Sequence, residues 1–577
     1  MNYKTSSACR FGATRLDSGA VEFRLWAPAQ ETVSVAIESG GVLPMQRSPD
    51  GWFVATAPVP AGTRYHFRLA DGLMVPDPAS LAQASDVHGA SIVMADDFAW
   101  RHPDWKGRPW TEAIIYEVHP GVAGGFRAIR DDLPRLKTLG VTAIELMPVN
   151  DFPGQRNWGY DGVLPYAPDS AYGTPEDLKE LIDAAHGLGL MMFLDVVYNH
   201  FGPDGNYLFT YAPQFFRDDV KTPWGPAIDF RRREVRDYFI CNVMMWLVDY
   251  RFDGLRFDAV HAIQEQDWIE EMAATVRRGT QPGRHVHLIL EHHNQASHLR
   301  NGIDAQWNDD GHNVLHALLT NEDGGYYADY ADDPAAKLAR VLAEGWVYQG
   351  ERSAYLNQQR GQPCGDLPPT AHVLFLQNHD QIGNRAFGER LTTLVSPRAL
   401  EAAITLQMLC PQIPLLFMGE EIASTTPFLF FTDHHNELAD AVREGRRQEF
   451  AGFAAFADPA KRAQIPDPNA EPTFVASIPR PGPGAAERFA LYQRLITLRM
   501  QEIVPRLPGT TSTGATVIGP RAVRAGWRMG DGARLTIVTN LGTDSVPFDA
   551  PQGRLLFSSA DPGKAGPVTT AYLEIVA

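Results

Sequence analysis

The sequence predicts an α/β chain centred on a (β/α)8 TIM barrel, with an N-terminal β-sandwich before it and a C-terminal β-sandwich after it. Three observations carry this. From about residue 110, short apolar runs alternate with stretches of helical period; the first 95 residues hold β-rich runs separated by turn residues; and β-rich runs return beyond residue 490. The expected units are residues 1–95, 96–490 and 491–577. At 577 residues the chain exceeds one compact core, which agrees with about three domains.

The elements follow in order. VEFRLWAP (21–28), TVSVAIE (32–38), GWFVATA (51–57) and TRYHFRLA (63–70) are short alternating or β-rich runs between Gly, Pro and polar turns, the pattern of a small antiparallel sandwich. Trp26 and Trp52 are read as core filling. PDPAS (76–80) and FAWRHPDW (98–105) form the exit and a linker packed on the next unit. Eight strand candidates then succeed one another: AIIYEVH (113–119), VTAIELMPV (141–149), LMMFLDVV (190–197), GLRFDAV (254–260), VHLILEH (286–292), AQWN (305–308), HVLFLQN (372–378) and IPLLFMGEE (413–421). Most precede a helical stretch, such as RAIRDDLPRLKTLG (127–140) or TPEDLKELIDAAHGLG (174–189). A doubly wound sheet would normally carry a Gly-rich phosphate turn after its first strand, and YEVHPGVAGG is not one. Beyond the barrel, ERFALYQRLITLRMQ (487–501) reads as a last helix before the β-rich AVRAGWRM (522–529), RLTIVTNL (534–541) and GRLLFSS (553–559).

Composition narrows the function. With 51 basic against 69 acidic residues, a net charge of −18 argues against a nucleic-acid partner. No run approaches the roughly 20 apolar residues of a membrane span, and no signal-peptide pattern opens the chain, so a cytoplasmic location without membrane partners is expected. Cys9, Cys241, Cys364 and Cys410 have no metal-ligand spacing and are too sparse for a disulfide framework; free thiols are expected.

Polar residues gather where the apolar runs stop, at the carboxyl ends of the strands, where barrels of this kind build their sites. Glycoside cleavage needs two carboxyl groups, one to protonate the leaving oxygen and one to attack the anomeric carbon or activate water. Asp258 and Glu291 suit these tasks. Arg256 lies two residues before Asp258, on the same strand face, where its guanidinium would hold an ionised nucleophile; Glu291 ends an apolar run whose desolvation would keep it protonated. Any one strand-end carboxylate is commonly a cap or an ion-pair partner, and Asp195 is read as structural or orienting. His200 and His379 are placed to donate hydrogen bonds to sugar hydroxyls, His379 beside Asp380 being the better placed.

LMMFLDVVYNH (190–200), GLRFDAVH (254–261), VHLILEHHN (286–294) and HVLFLQNHDQ (372–381) resemble, in order and spacing, the four sequence regions of the α-amylase superfamily, glycoside hydrolase family 13. The resemblance spans the barrel. It implies Asp258 as nucleophile, Glu291 as general acid/base and Asp380 as a third carboxylate gripping the distorted sugar, with α-configuration retained through a covalent glycosyl-enzyme. It also implies that Arg256, His200 and His379 line the subsite of the reacting glucose, and that Tyr160, in NWGYDG (157–162), stacks on its ring.

Within the superfamily, VEFRLWAPAQETVSVAI is similar to the N-terminal module of the branching-enzyme, isoamylase and trehalohydrolase group. FLQNHDQIGNRAFGERL (375–391) and TTPFLFFTDHH (425–435) resemble the maltooligosyltrehalose trehalohydrolases. That implies hydrolysis of the α-1,4 bond joining a maltooligosaccharide to a terminal trehalose unit, with trehalose as product. Discrimination against plain α-glucans would come from groups that pair with the hydroxyls of the α,α-1,1-linked unit. Asn308, Asp309, Gln377, Gln381, Glu420 and the PFLFF stretch (427–431) are the candidates for that reading. Two departures limit the carry-over. His292 and His293 follow the acid, so roles other members give those positions do not transfer; and the stretch after the third strand lacks an aspartate-rich ligand cluster, so no metal and no cofactor is expected. A glucan-branching transferase and a non-catalytic barrel scaffold are the alternatives.

Overall fold

Eight parallel strands close into a barrel: β1 (Ile115–Val118), β2 (Ala143–Leu146), β3 (Met191–Val196), β4 (Gly254–Phe257), β5 (His287–Leu290), β6 (Ala305–Trp307), β7 (His372–Phe375) and β8 (Ile413–Phe417), with β8 pairing back onto β1. The structure is a computed structural model and describes residues 11–38, 40–95, 97–452, 456–561 and 565–576. All eight expected runs take their expected places, the three-residue β6 included. Each strand is buried throughout, outward against helices and inward against other strands, which is why the sequence reads as unbroken apolar runs.

The helices obey local rules. Helix Phe126–Leu139 buries Phe126, Ile129, Leu133, Leu136 and Leu139 at three- and four-residue spacing and stops at Gly140, whose φ of 104° a side chain would resist. Helix Pro175–Gly187 starts in a capping box: the Thr174 hydroxyl accepts the Asp177 N–H and the Asp177 carboxylate accepts the Thr174 N–H.

Inside the barrel, Ile115, Ala143, Phe193, Ile289, Ala305, Val373 and Leu415 form an apolar cluster of their own. Strand side chains alternate, so the residues two further along from the first five point inward as the next layer: Glu117, Glu145, Asp195, Glu291 and Trp307, joined on β4 by Arg256. An apolar plug thus gives way to a charged layer at the carboxyl ends.

The N-terminal part is two antiparallel sheets. One runs Gly12–Arg15, Val21–Trp26, Trp52–Ala57, Gln46–Arg47; the other Gly41–Pro44, Ser34–Ile37, Arg64–Arg68, Met74–Val75. Phe23, Leu25, Phe53, Val35, Tyr65 and Phe67 alternate into the core between them. Trp26 is buried as expected, its indole N–H donating to the Asp50 carbonyl at 3.1 Å; Trp52 is half-buried, with Arg24 over its ring at 4.9 Å.

The C-terminal part is a single five-stranded antiparallel sheet, in the order Thr511–Gly519, Ala522–Arg528, Arg534–Asn540, Val568–Glu574, Arg554–Ser558. The second layer expected of a sandwich is supplied by barrel helices Pro334–Glu344 and Pro397–Leu409, on which the sheet packs. Helix Ala485–Leu498 precedes it and is followed by the fully buried Arg499, which donates to the carbonyls of Met408, Cys410 and Gln412.

The expectation of four free thiols fails at Cys241, which is disulfide-bonded; Cys364 and Cys410 are free and buried, and Cys9 lies outside the described residues. Spacing rules detect frameworks, whereas one bond needs only two residues brought together by the fold. Among the described residues no helix is long and apolar enough to cross a membrane.

Candidate active site

Arg256 is the hub. Fully buried at the end of β4, its guanidinium lies 4.0 Å from the centre of the Trp307 ring and bonds Asp195 at 2.5 Å and Asp258 at 2.9 Å through one terminal nitrogen, and Glu291 through the other. The two-residue spacing read from the sequence therefore does bring Arg256 and Asp258 together. Asp258 also accepts the Asn199 amide at 2.9 Å. The chain leaves β4 through Ala259 at φ 39°, a left-handed conformation unusual for alanine, and that turn aims the Ala259 N–H at the Glu291 carboxylate, 3.0 Å away. Adjacent strand ends are thus stitched together at the two carboxylates.

A second chain of contacts runs across the barrel mouth. His379 Nδ1 meets Glu117 of β1, while Nε2 lies 2.8 Å from the Tyr160 hydroxyl, which donates onward to Asp195 at 2.6 Å. Because that hydroxyl spends its proton on Asp195, it accepts from Nε2; with Nδ1 facing a carboxylate, both ring nitrogens donate and His379 is an imidazolium. Burial opposes that charge, but Glu117 and Asp380 outweigh it and push His379 up to about 9. Asp380 follows in helix His379–Gly383, 3.5 Å from His379 Nε2. Glu117 and Glu145 were not singled out from the sequence. Their signal was parity: each sits two residues beyond an inward apolar residue. Among the described residues the Glu145 oxygens have no hydrogen-bond partner, and burial with the charges of Glu117 and Asp195 raises its carboxyl well above the usual range.

Above this layer opens a cleft of about 230 Å³, lined by Glu291, Asp309, Asp380 and Gln381 together with His293, Tyr326, Tyr355 and Arg360. Burial and the Glu291 charge push Asp309 up to about 8. Gln381 accepts the Asn378 N–H through its side-chain oxygen and lines the cleft. Among the described residues no group of three or more His, Cys, Asp or Glu is arranged to hold a metal ion.

Several expected contacts are corrected. Asn308 is fully buried and structural: its oxygen caps helix Asp309–Thr320 by accepting the Gly311 N–H, and its amide donates to the Gly345 carbonyl and Gln412. Gln377 is buried and accepts the Leu391 N–H; Glu420 is buried between the Phe417 N–H and the Tyr492 hydroxyl. Phe428 and Phe431 are buried rather than part of the cleft wall. His200 has both ring nitrogens engaged, by Asn199 and by the Tyr160 carbonyl at 3.0 Å, and its ring stacks on Trp224 at 4.6 Å, so no nitrogen is left for a sugar hydroxyl. Tyr160 stacks on His379, 5.2 Å between centroids, on one of its faces.

The two central carboxyls share one guanidinium and titrate together rather than as two separate acids. Burial and the Glu291 charge raise Asp258 well above the usual carboxylate range, despite Arg256. Glu291 is lowered: burial works against its charge, but Arg256, His261 and the Ala259 N–H outweigh it. Two carboxylates on one buried guanidinium titrate as a unit, and burial works against both carrying a charge at once.

Residues 95–215 match the model of the alpha-amylase catalytic domain, and residues 510–573 match a domain of unknown function, DUF3459. Over 573 residues the chain is 41% identical to a malto-oligosyltrehalose trehalohydrolase of Deinococcus radiodurans, an alignment covering 95% of this chain and 93% of the relative. The chain belongs to the malto-oligosyltrehalose trehalohydrolase family. The fold extends this: a crystal structure of a candidate alpha amylase from Salmonella typhimurium superposes with a TM-score of 0.92 and 42% identity, over 98% of this chain and 99% of that one. A 1,4-alpha-glucan branching enzyme from Pseudoalteromonas atlantica is 32% identical over only 44% of this chain and 39% of its own length. The trehalohydrolase likeness is therefore carried by the whole chain, and the branching-enzyme likeness by part of it.

Proposed function

We propose that this trehalohydrolase-family protein is a retaining glycoside hydrolase that cleaves the α-1,4 bond next to the terminal trehalose unit of maltooligosyltrehalose, releasing trehalose and a maltooligosaccharide. The observation that carries the chemistry is the bridging of Asp258 and Glu291 by one buried guanidinium at adjacent strand ends. Double displacement needs close-set carboxyls, about 5–5.5 Å apart, and a shared guanidinium supports that arrangement.

Asp258 attacks the anomeric carbon and Glu291 protonates the departing oxygen. Asp380, Asp309, Gln381 and Tyr160 hold the reacting sugar. For this to run, a proton must reach Glu291. A glycosidic oxygen seated on Glu291 favours the protonated form, while the anomeric carbon, gaining positive charge, favours an ionised Asp258; substrate thus drives the transfer between two carboxyls already sharing one partner. Asp195 and the Glu117–His379 pair position Arg256 and Tyr160. The acidic balance of the chain speaks against a nucleic-acid partner.

The test is product analysis. Incubation with maltooligosyltrehalose is expected to release trehalose, and plain maltooligosaccharide is expected to be cut far more slowly; a fresh reducing end in the α-configuration by proton NMR would mark retention. New α-1,6 branches from amylose with no trehalose released would overturn the reading in favour of a branching transferase.

A further inference from the structure

The segment TTPFLFFTDHH is one of the two stretches whose sequence resembles trehalohydrolases most specifically, yet its aromatic residues are mostly buried away from the cleft. What it touches is the back of the loop that carries Tyr160. Three grips come from one short run. The Asp433 carboxylate accepts the Gln155 N–H at 2.8 Å and pairs with the Arg156 guanidinium. The Leu429 carbonyl accepts the Trp158 indole N–H at 2.9 Å, while Phe428 stacks on that indole at 5.4 Å. His434 lies 3.6 Å from Asp161, whose carboxylate accepts the Asn157 amide at 2.7 Å.

The run is itself fixed from behind. Asn469 receives the Thr432 hydroxyl and the His434 N–H, and Ser477 accepts the Leu429 N–H. At Gly154, φ is +84° and a β-carbon would come within 2.6 Å of the Asp433 β-carbon, so loop and clamp are in contact with no room for a side chain. The clamped loop then acts forward: the Trp158 ring abuts His379 edge-on at 5.5 Å, and Tyr160 binds both His379 and Asp195.

We infer that Asp433 is a positioning residue for the sugar-cleaving reaction: by holding the Gln155–Arg156 start of the loop from outside the cleft, it sets the placement of Tyr160, and through it of His379 and Asp195. This rests on the assignment of Tyr160 to the reacting sugar. The segment contributes to catalysis by support rather than by contact. A displacement of the order of an ångström at a group facing substrate lowers rates by about a hundredfold.

The experiment is a double-mutant cycle on the full-length protein, measured as kcat and KM on maltooligosyltrehalose, with thermal melting to score the folded fraction. Asp433→Ala is expected to lower kcat/KM by about 10–100-fold, mostly in kcat. Asp433→Asn, which keeps an acceptor for the Gln155 N–H, is expected to recover most of that loss and also serves if the alanine variant folds poorly. Because Asp433 acts through Tyr160, adding Asp433→Ala to Tyr160→Ala should cost less than twofold more. Losses that multiply, or unchanged kcat/KM per folded molecule in Asp433→Ala, would overturn the inference while leaving Tyr160 in place. An unchanged Tyr160→Ala would remove the Tyr160 assignment and the inference with it.

Discussion

Replacing Arg256 by methionine tests the architecture of the site most directly. The guanidinium is fully buried and is the shared partner of Asp195, Asp258 and Glu291. Methionine fills much of the volume and removes the charge, leaving three buried carboxyls facing one another. Breaking a buried ion pair from one side costs about 3–5 kcal/mol, and the carboxyls answer by taking up protons. Asp195 already stands at about 6, because burial raises it more than Arg256 and Tyr160 lower it; without Arg256 it rises further, as do Asp258 and Glu291. The sign follows. Acids whose folded pKa exceeds the unfolded value of about 4 stabilise the fold at low pH and lose that contribution as pH rises through the folded pKa. The variant's deficit in urea unfolding, followed by tryptophan fluorescence, should therefore be several kcal/mol at pH 8 and clearly smaller at pH 5. A deficit independent of pH, or none, would refute the hub role.

Three further outcomes follow from the same geometry. Glu291→Gln should lower kcat/KM on the natural substrate by about 10²–10⁴-fold but largely spare kcat/KM on a glycosyl fluoride, whose leaving group needs no proton; equal losses of kcat/KM on both would remove the acid role. His379, raised to about 9 against an unfolded value near 6.5, contributes stability that is complete below pH 6.5 and lost as pH climbs through 9, about 3 kcal/mol in all. Denaturation of wild type against His379→Gln should show the gap closing across that window, and parallel curves would contradict it. Asn308→Ala should reduce stability by about 0.5–2 kcal/mol or somewhat more, through loss of a helix cap and two amide bonds, with KM unchanged within twofold. A large rise in KM with no loss of stability would return Asn308 to the substrate.

The barrel was legible because parallel strands buried on both faces leave an unmistakable trace, and the same parity that aligned Arg256 with Asp258 predicts a charged layer above an apolar one. What escaped depended on partners far away in sequence. Asn308 stands at a strand end, where ligand-binding residues stand, but the run Asn-Asp-Asp-Gly is equally a helix cap, and only the buried Gly345 and Gln412 acceptors decide. The C-terminal sheet needs no second sheet because barrel helices cover it, which no local pattern announces. Glu117 was passed over within YEVH, since a lone glutamate in a strand carries no sign that a histidine 262 residues away will bond it.

The sharing of one guanidinium by two carboxyls is the most instructive departure. Reasoning residue by residue, Arg256 ionises Asp258 and an apolar run protonates Glu291; each step is sound alone. The fold places both carboxyls on one guanidinium, and from then on the pair titrates as a unit, with Arg256, His261 and the Ala259 N–H all favouring the charged form of Glu291. A glycosidic oxygen seated on Glu291 makes its protonated form the better partner, so that proton placement and substrate placement are one event. A sugar held slightly out of register would fail to draw the proton onto Glu291. That coupling gives the residues supporting Tyr160 and Asp380 an influence on rate larger than their own contacts with the sugar would supply.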